Sequence, residues 1–477
     1  MSGSISEMMW YGDEIIFPEF PERTRIIRPH PSLPVLDNLE QRVLDAINNP
    51  INHEPLHKLV SPGSRVTIAF DDISYPYPPM KKPDARQLII PILLKELYRK
   101  GVKKNNITLL CANGLHRKWT RRELGTILGK DLLSEFGPGQ LFCHDAEDRE
   151  NLVYLGLTEN GYEVEVNRLL MDSDLLIYVN ITWAPMNGGW KSTAVGLGTY
   201  RSIRHHHNPE VGSKGISQMD PARSGKHARI REQGEYIAGE LAKKGRKVFQ
   251  IETALCNTMP YQLTTLLAGH PPEVHRETLK IVEKQYVIPV QGQTDVAIFG
   301  CPNTDPYSQL SVINPILVAN LGLGYMFGLY QNKPLCREGG IVICVNPCLN
   351  RFDDVRHPSY REFFEQVLSV SKDPVEVWDL FAEEFAHRPE YIHKYRHGYA
   401  FHGVHPFILW GNTVTFPRQY LSRIFFAGVK DPAAVEQMGF EAFPTMEDAI
   451  REAEKHLGKD CSITYHPVPP LSVVRVD

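Results

Sequence analysis

The run Gly188-Gly189-Trp190-Lys191 sets an amine directly after paired glycines, where it can approach a phosphate or an electrophile closely. Sixteen positions beyond Lys191 the chain reaches His207, the last of three consecutive histidines with His205 and His206. An imidazole there can serve a metal ion. Together these residues point to a bulky, phosphate-bearing, metal-containing group. The segment is not a Walker loop, because the G-x-x-x-x-G-K-[ST] spacing is missing. Taken alone, the triplet reads equally as a solvated run. Positions i and i+2 do not face together on a helix, so His205 and His207 point different ways.

Two further polar signatures precede it. Asp71-Asp72-Ile73-Ser74-Tyr75-Pro76 follows the apolar run ending at Phe70. Paired aspartates there could bind a metal, orient a cation or hold sugar hydroxyls. His116 lies between the run ending at Cys111 and a helix whose capping-box spacing, Thr120 with Glu123, sets its start. An imidazole in such a turn can act as general acid or base.

The elements that must position these residues alternate in type. Buried strands are expected at 65–70, 107–111, 175–179 and 247–253, separated by helices such as 86–100. A second series of strands is expected at 295–299, 340–345 and 423–427, with helices at 272–285 and 445–457 between and around them. This alternation predicts an α/β fold of two domains with mainly parallel sheets. The expected division is a cofactor-binding domain over 1–275, a second α/β domain over 276–457 and a tail strand over 458–477 that could return to the first. The crevice between two such domains is the natural place for a site.

At 477 residues the chain exceeds one ordinary core. A net charge of −4 supplies no basic stripe for nucleic acid or an anionic membrane. The most apolar long stretch, 313–330, contains Asn314, Pro315 and Asn320 and reads as a broken buried helix, not a membrane span. Met1 to Met9 lacks the pattern of a secretory signal, and the eight cysteines include no C-x-x-C pair, so a reduced cytoplasmic protein is expected.

In order and spacing, these motifs resemble the nickel-pincer lactate racemase family. Asp72-Ile73-Ser74-Tyr75-Pro76 stands where the family has D-x-T-R-P. His116-Arg117 with Thr120 and Glu123 matches H-R-x-x-T-x-x-E, and Gly188-Gly189-Trp190-Lys191 with Gly196 matches the G-G-x-K segment. The resemblance implies a cofactor, the nickel complex of pyridinium-3-thioamide-5-thiocarboxylic acid mononucleotide, delivered by its own biosynthesis enzymes. It implies that Lys191 forms the covalent thioamide link and that His207 is the Ni(II) ligand, with Asp72, Gly188 and Gly189 contributing to cofactor binding. A pincer donating sulfur, carbon and sulfur leaves one in-plane position for an imidazole, a square-planar arrangement suited to Ni(II). The implied reaction inverts C2 of a 2-hydroxy acid by reversible hydride transfer, with His116 as a general base.

Three departures set the chain apart from a lactate enzyme. Tyr75 replaces the arginine that clamps the substrate carboxylate, and a phenol offers only one neutral hydroxyl. The segment before Gly188 holds no second catalytic histidine and carries Trp183 instead. Ile313 and Asn314 stand where a second-domain lysine is expected. The leading reading is a racemase or epimerase of a 2-hydroxy acid other than lactate. Its second base would be His402, His357 or His405, and Arg351 would be a candidate clamp, with Tyr75 and Trp183 lining the substrate. The alternatives are a one-sided redox enzyme for an alcohol or 2-hydroxy acid, a non-catalytic carrier or sensor of the cofactor, and a phosphate-binding α/β protein without nickel.

Overall fold

The structure, a computed structural model, describes residues 4–477; the first three residues of the polar N-terminal stretch lie outside the described residues. Two six-stranded sheets dominate it. In the first, the order across the sheet is Leu141–Cys143, Ile107–Ala112, Val66–Asp71, Leu175–Thr182, Lys247–Leu255 and Leu263–Gly269. All neighbours are parallel except the last pair. The strands are nearly continuous apolar runs because helices cover both faces: Val66, Ile68, Leu109 and Ile177 are all essentially inaccessible.

The chain winds outward from Val66–Asp71 in one direction and from Leu175–Thr182 in the other. These two strands are neighbours, so their connections leave to opposite sides and open a crevice beyond their carboxyl ends. That geometry brings the Asp71-Asp72 loop and the Gly188–Lys191 segment to one place, although more than a hundred residues separate them in sequence.

The second sheet is parallel throughout, in the order Glu441–Phe443, Arg423–Ala427, Cys336–Val345, Thr294–Gly300, Ile463–Tyr465 and Arg25–Ile26. The N-terminal segment therefore belongs to the second sheet and not to the first domain as expected. Tyr11 Oη donates to the Gly428 carbonyl, and Gly12 N–H to that of Cys301. The tail also stays with the second half. Val473–Val476 lies between Val287–Val290 and Tyr330–Gln331 in a small parallel sheet.

Apolar side chains from both halves form one continuous core, including Phe70, Ile181, Tyr261, Phe299, Leu317 and Phe407. The broken apolar stretch is the helix Pro315–Ala319 continued by a wider helical turn over Asn320–Met326. Among the described residues no helix is long and apolar enough to cross a membrane.

Candidate functional site

The crevice holds a cavity lined from both halves. Asp71, Asp72 and Tyr75 come from the first strand end, His116 from the second, and Gly188 and Lys191 from the loop after the Leu175–Thr182 strand. His207 enters from the following turns, and Tyr307, Asn320, Tyr325 and His405 from the second half.

His116 is anchored by a buried carboxylate. Asp72 Oδ2 lies 2.9 Å from His116 Nδ1. The same carboxylate accepts from Ser74 N at 3.0 Å, Ser74 Oγ at 3.2 Å and Trp119 Nε1 at 3.2 Å. With its oxygens serving as acceptors to all of these donors, the carboxylate takes His116 Nδ1 as a further donor, which leaves Nε2 of His116 as the acceptor. Asp72, expected to contribute to cofactor binding, is thus engaged in orienting His116. Arg117 is not available as an anion clamp. Its guanidinium pairs with Glu123 at 2.8 Å and lies 3.8 Å from the Trp119 ring centre.

The paired glycines serve a different purpose from the one their sequence suggests. Both have positive φ, +112° at Gly188 and +57° at Gly189. A Cβ on Gly188 would stand 2.6 Å from His275 Nδ1 and 2.7 Å from Glu252 Oε1. The Gly189 N–H donates to Glu252 Oε1 at 2.5 Å. The glycines therefore let the loop pack on the buried Glu252 and its half-buried partner His275, and the Gly189 N–H is not free to turn toward an anion. What the turn delivers is Lys191, in the first turn of the helix Trp190–Gly196. Its amine lies 5.5 Å from the Tyr75 ring centre and makes no ion pair among the described residues. Burial pulls its pKa down to about 8, and the nearby Asp71 only partly opposes this. Such an amine is neutral, and hence nucleophilic, far more often than an exposed lysine.

The three histidines have separate tasks. His205 turns outward, with Nε2 3.4 Å from Glu163 Oε2. His207 lines the cavity. The wholly buried His206 sets its Nδ1 2.5 Å from His207 Nδ1, so one ring donates and the other accepts. That contact leaves Nε2 of His207 for the cavity. His206 is thus the orienting partner of His207. Burial, reinforced by the Lys226 charge, keeps both rings well below the usual imidazole range. Neutral imidazole is the form that binds metals.

On the opposite wall three phenols form a chain. Tyr325 Oη lies 3.3 Å from Tyr75 Oη and 3.0 Å from Tyr307 Oη. Trp183 stands behind this wall and does not face the cavity. Its ring centre is 5.9 Å from that of Tyr75 and 6.1 Å from that of Tyr325. Of the histidines expected as a second base, only His405 reaches the cavity. Its ring centre is 5.4 Å from that of His116, and its Nδ1 lies 2.5 Å from Tyr360 Oη. His402 is buried against Glu147 at 3.0 Å, away from the cavity. His357 sits behind Tyr307, bonded to its carbonyl at 3.1 Å and stacked on Phe401. Arg351 is exposed and takes no part in the lining, so it does not supply the missing clamp. Among the described lining residues the side-chain amines are Lys191 and Lys226, and no arginine joins them. The sequence reading passed over Lys226. A lysine next to a histidine, in the first turn of an unassigned helix, was its only signal.

The fold is thus a two-part α/β architecture with its chemistry at a topological switch point, walled by both parts. Residues 11–218 match the lactate racemase N-terminal domain. The lactate racemase of Thermoanaerobacterium thermosaccharolyticum is 24% identical over 354 residues, 71% of each chain. That of Lactiplantibacillus plantarum is 27% identical over 175 residues, 36% of this chain and 39% of that protein. The structure of the lactate racemase apoprotein from T. thermosaccharolyticum superposes with a TM-score of 0.69 at 21% identity, covering 99% of this chain and all of that one. Residues 11–218 thus resemble a lactate racemase N-terminal domain, and the chain as a whole shares the fold of that apoprotein.

Proposed function

We propose that this protein is a racemase or epimerase that inverts the hydroxyl-bearing carbon of a 2-hydroxy acid other than lactate, using a nickel-pincer mononucleotide held by Lys191 and His207. One observation carries the reading: the low-pKa amine of Lys191, the oriented imidazole of His207 and the Asp72-held imidazole of His116 open on a single cavity.

The residues present suit such a group. Lys191 has no carboxylate partner to give up, and its amine is poised to form a thioamide link. Among the described residues no three His, Cys, Asp or Glu side chains converge as a metal site, so His207 would be one ligand beside donors of the group itself. When bound, the group supplies a metal-activated pyridinium that accepts and returns hydride. The protein's part is proton handling and positioning. His116 Nε2 takes the substrate hydroxyl proton, and Asp72 stabilises the imidazolium that results. His405, across from His116, holds a proton at the same hydroxyl oxygen from the other side. The phenols of Tyr75, Tyr307 and Tyr325 orient the substrate by neutral hydrogen bonds, where a lactate enzyme would use cations.

The test is a screen of protein co-expressed with the pincer biosynthesis enzymes against single-enantiomer 2-hydroxy acids, read by optical rotation. Decay of rotation to zero, or to an epimeric equilibrium, with one of them and not with lactate is expected. Accumulation of a 2-keto acid in place of the other stereoisomer would contradict inversion and favour one-sided redox chemistry.

A further inference from the structure

Beneath the Lys191 segment lie polar side chains that no step of the proposed reaction uses. Asn180 and Thr182 stand on the strand Leu175–Thr182, and Gln250 and Glu252 on its parallel neighbour Lys247–Leu255; all four are buried. They alternate with the apolar Val179, Ile181, Phe249 and Ile251, and Asn180 is the register partner of Glu252, so the four share one face of the sheet. Ser192, the residue after Lys191 in the helix Trp190–Gly196, completes the set. Its hydroxyl donates to Asn180 Oδ1 at 2.9 Å and accepts from Gln250 Nε2 at 3.3 Å. Asn180 Nδ2 donates to Thr182 Oγ1 at 2.7 Å, and Thr182 Oγ1 to Glu252 Oε2 at 3.5 Å. Gln250 Nε2 donates to Glu252 Oε1 at 3.2 Å and closes the ring.

Glu252 is the one charged member of this ring and its terminal acceptor. It also takes the Gly189 N–H, and His275 Nδ1 lies 3.1 Å from its other oxygen. Buried polar groups are tolerated where donors and acceptors match, and a closed network of them favours one arrangement over its alternatives. Here the arrangement grips the chain on both sides of Lys191, at Gly189 before it and at Ser192 after it. Asn180 and Ser192 reach the same cavity as the lysine. We propose that Glu252, acting through this ring, is the positioning residue of Lys191 and holds its amine inside the cavity beside the Tyr75 ring. The inference rests on Lys191 being the reactive amine of the proposed function, but it describes the protein before any group is attached.

The test is acetylation of Lys191 by acetic anhydride in the unloaded full-length protein, followed by peptide mass spectrometry as a function of pH. The wild-type rate should have its midpoint at about 8, the value that burial gives this amine. Glu252→Ala and Ser192→Ala should each release the amine toward water and move the midpoint to about 9 or above, with about tenfold less neutral amine at pH 7. Charge alone acts the other way, because losing a nearby carboxylate lowers the proton affinity of a lysine. Glu252→Gln keeps an acceptor for the Gly189 N–H and should retain the wild-type midpoint. Asp71, Lys226, His207 and His227, which act on that amine or feel its charge, are unchanged in all three variants. Ser192→Ala opens the ring without touching the carboxylate, so it decides the matter if Glu252→Ala does not fold. A Glu252 that only stabilises the fold would lower the melting temperature and leave the midpoint near 8. That midpoint in folded Ser192→Ala, or one in Glu252→Gln as high as in Glu252→Ala, overturns the proposal. Failure of the wild-type protein to acquire an adduct bears on the proposed function alone.

Discussion

Asp72 Oδ2 and His116 Nδ1 meet at 2.9 Å, joining two loops that follow adjacent parallel strands. The contact fixes which imidazole nitrogen faces the cavity and, in the proposed role of His116, would supply a negative charge to the ring as it gains a proton. Asp72→Asn keeps the shape and removes both effects. It should lower kcat about a hundredfold, in the range of general-base contributions, with little change in KM. Steady-state racemisation rates with the substrate found by the optical-rotation screen check this. A variant with full turnover would remove His116 from the base role.

His206 and His207 form a second orienting pair. His206→Phe preserves the buried volume and removes the nitrogen that fixes the His207 ring. Loss of such a partner weakens metal binding about 10- to 100-fold. Nickel per protein, measured by elemental analysis after dialysis against a mild chelator, should fall. The mass adduct on Lys191 should persist, because the covalent link does not pass through His206.

The lowered pKa of Lys191 has consequences in two measurements. Below about 8 the folded and unfolded chains both hold the proton, and the folded chain bears the full desolvation cost. Between about 8 and the ordinary value of 10.5 only the unfolded chain is protonated, so folding stability rises with pH there. Lys191→Met should therefore be the more stable protein at pH 7, by on the order of 2 kcal/mol, and its advantage should shrink as pH approaches 10. Urea unfolding at several pH values reads this. The rate of alkylation of Lys191 by an amine-directed reagent should climb through pH 8, because the neutral amine is the nucleophile.

Gly188 is a test of local backbone demand. Its φ of +112° and the 2.6 Å approach to His275 exclude a Cβ. Gly188→Ala should cost about 2–3 kcal/mol and lower the melting temperature by several degrees. Gly161, also at positive φ but with open space around it, should tolerate alanine at a smaller cost.

The fold was legible because its strands are short apolar runs with helices between them. The capping box at Thr120 and Glu123 closes as its spacing indicates, with Thr120 N donating to Glu123 Oε2 at 2.8 Å. The N-terminal strand misled because Arg25–Ile26 carries no sign of which sheet it joins; its partner Ile463–Tyr465 lies over 400 residues away. The helix Gly225–Ala242 escaped notice because glycines and charged residues interrupt its apolar stripe. At the site, spacing located Lys191, His116 and His207 but could not show what stands behind them. Asp72, His206 and Glu252 act on neighbours that tertiary structure supplies. His402 and His405, three positions apart, looked alike in sequence. Only the structure turns one toward Glu147 and the other toward His116.

Every role proposed for the cavity depends on Lys191 being a covalent attachment point. Intact-mass spectrometry of the protein co-expressed with the pincer biosynthesis enzymes tests it most directly. The account expects a single adduct of the mass of the thioamide-linked mononucleotide, mapped by peptide digestion to Lys191 and lost in Lys191→Ala. An unmodified mass, in a host where a lactate racemase expressed alongside is fully loaded, would contradict it.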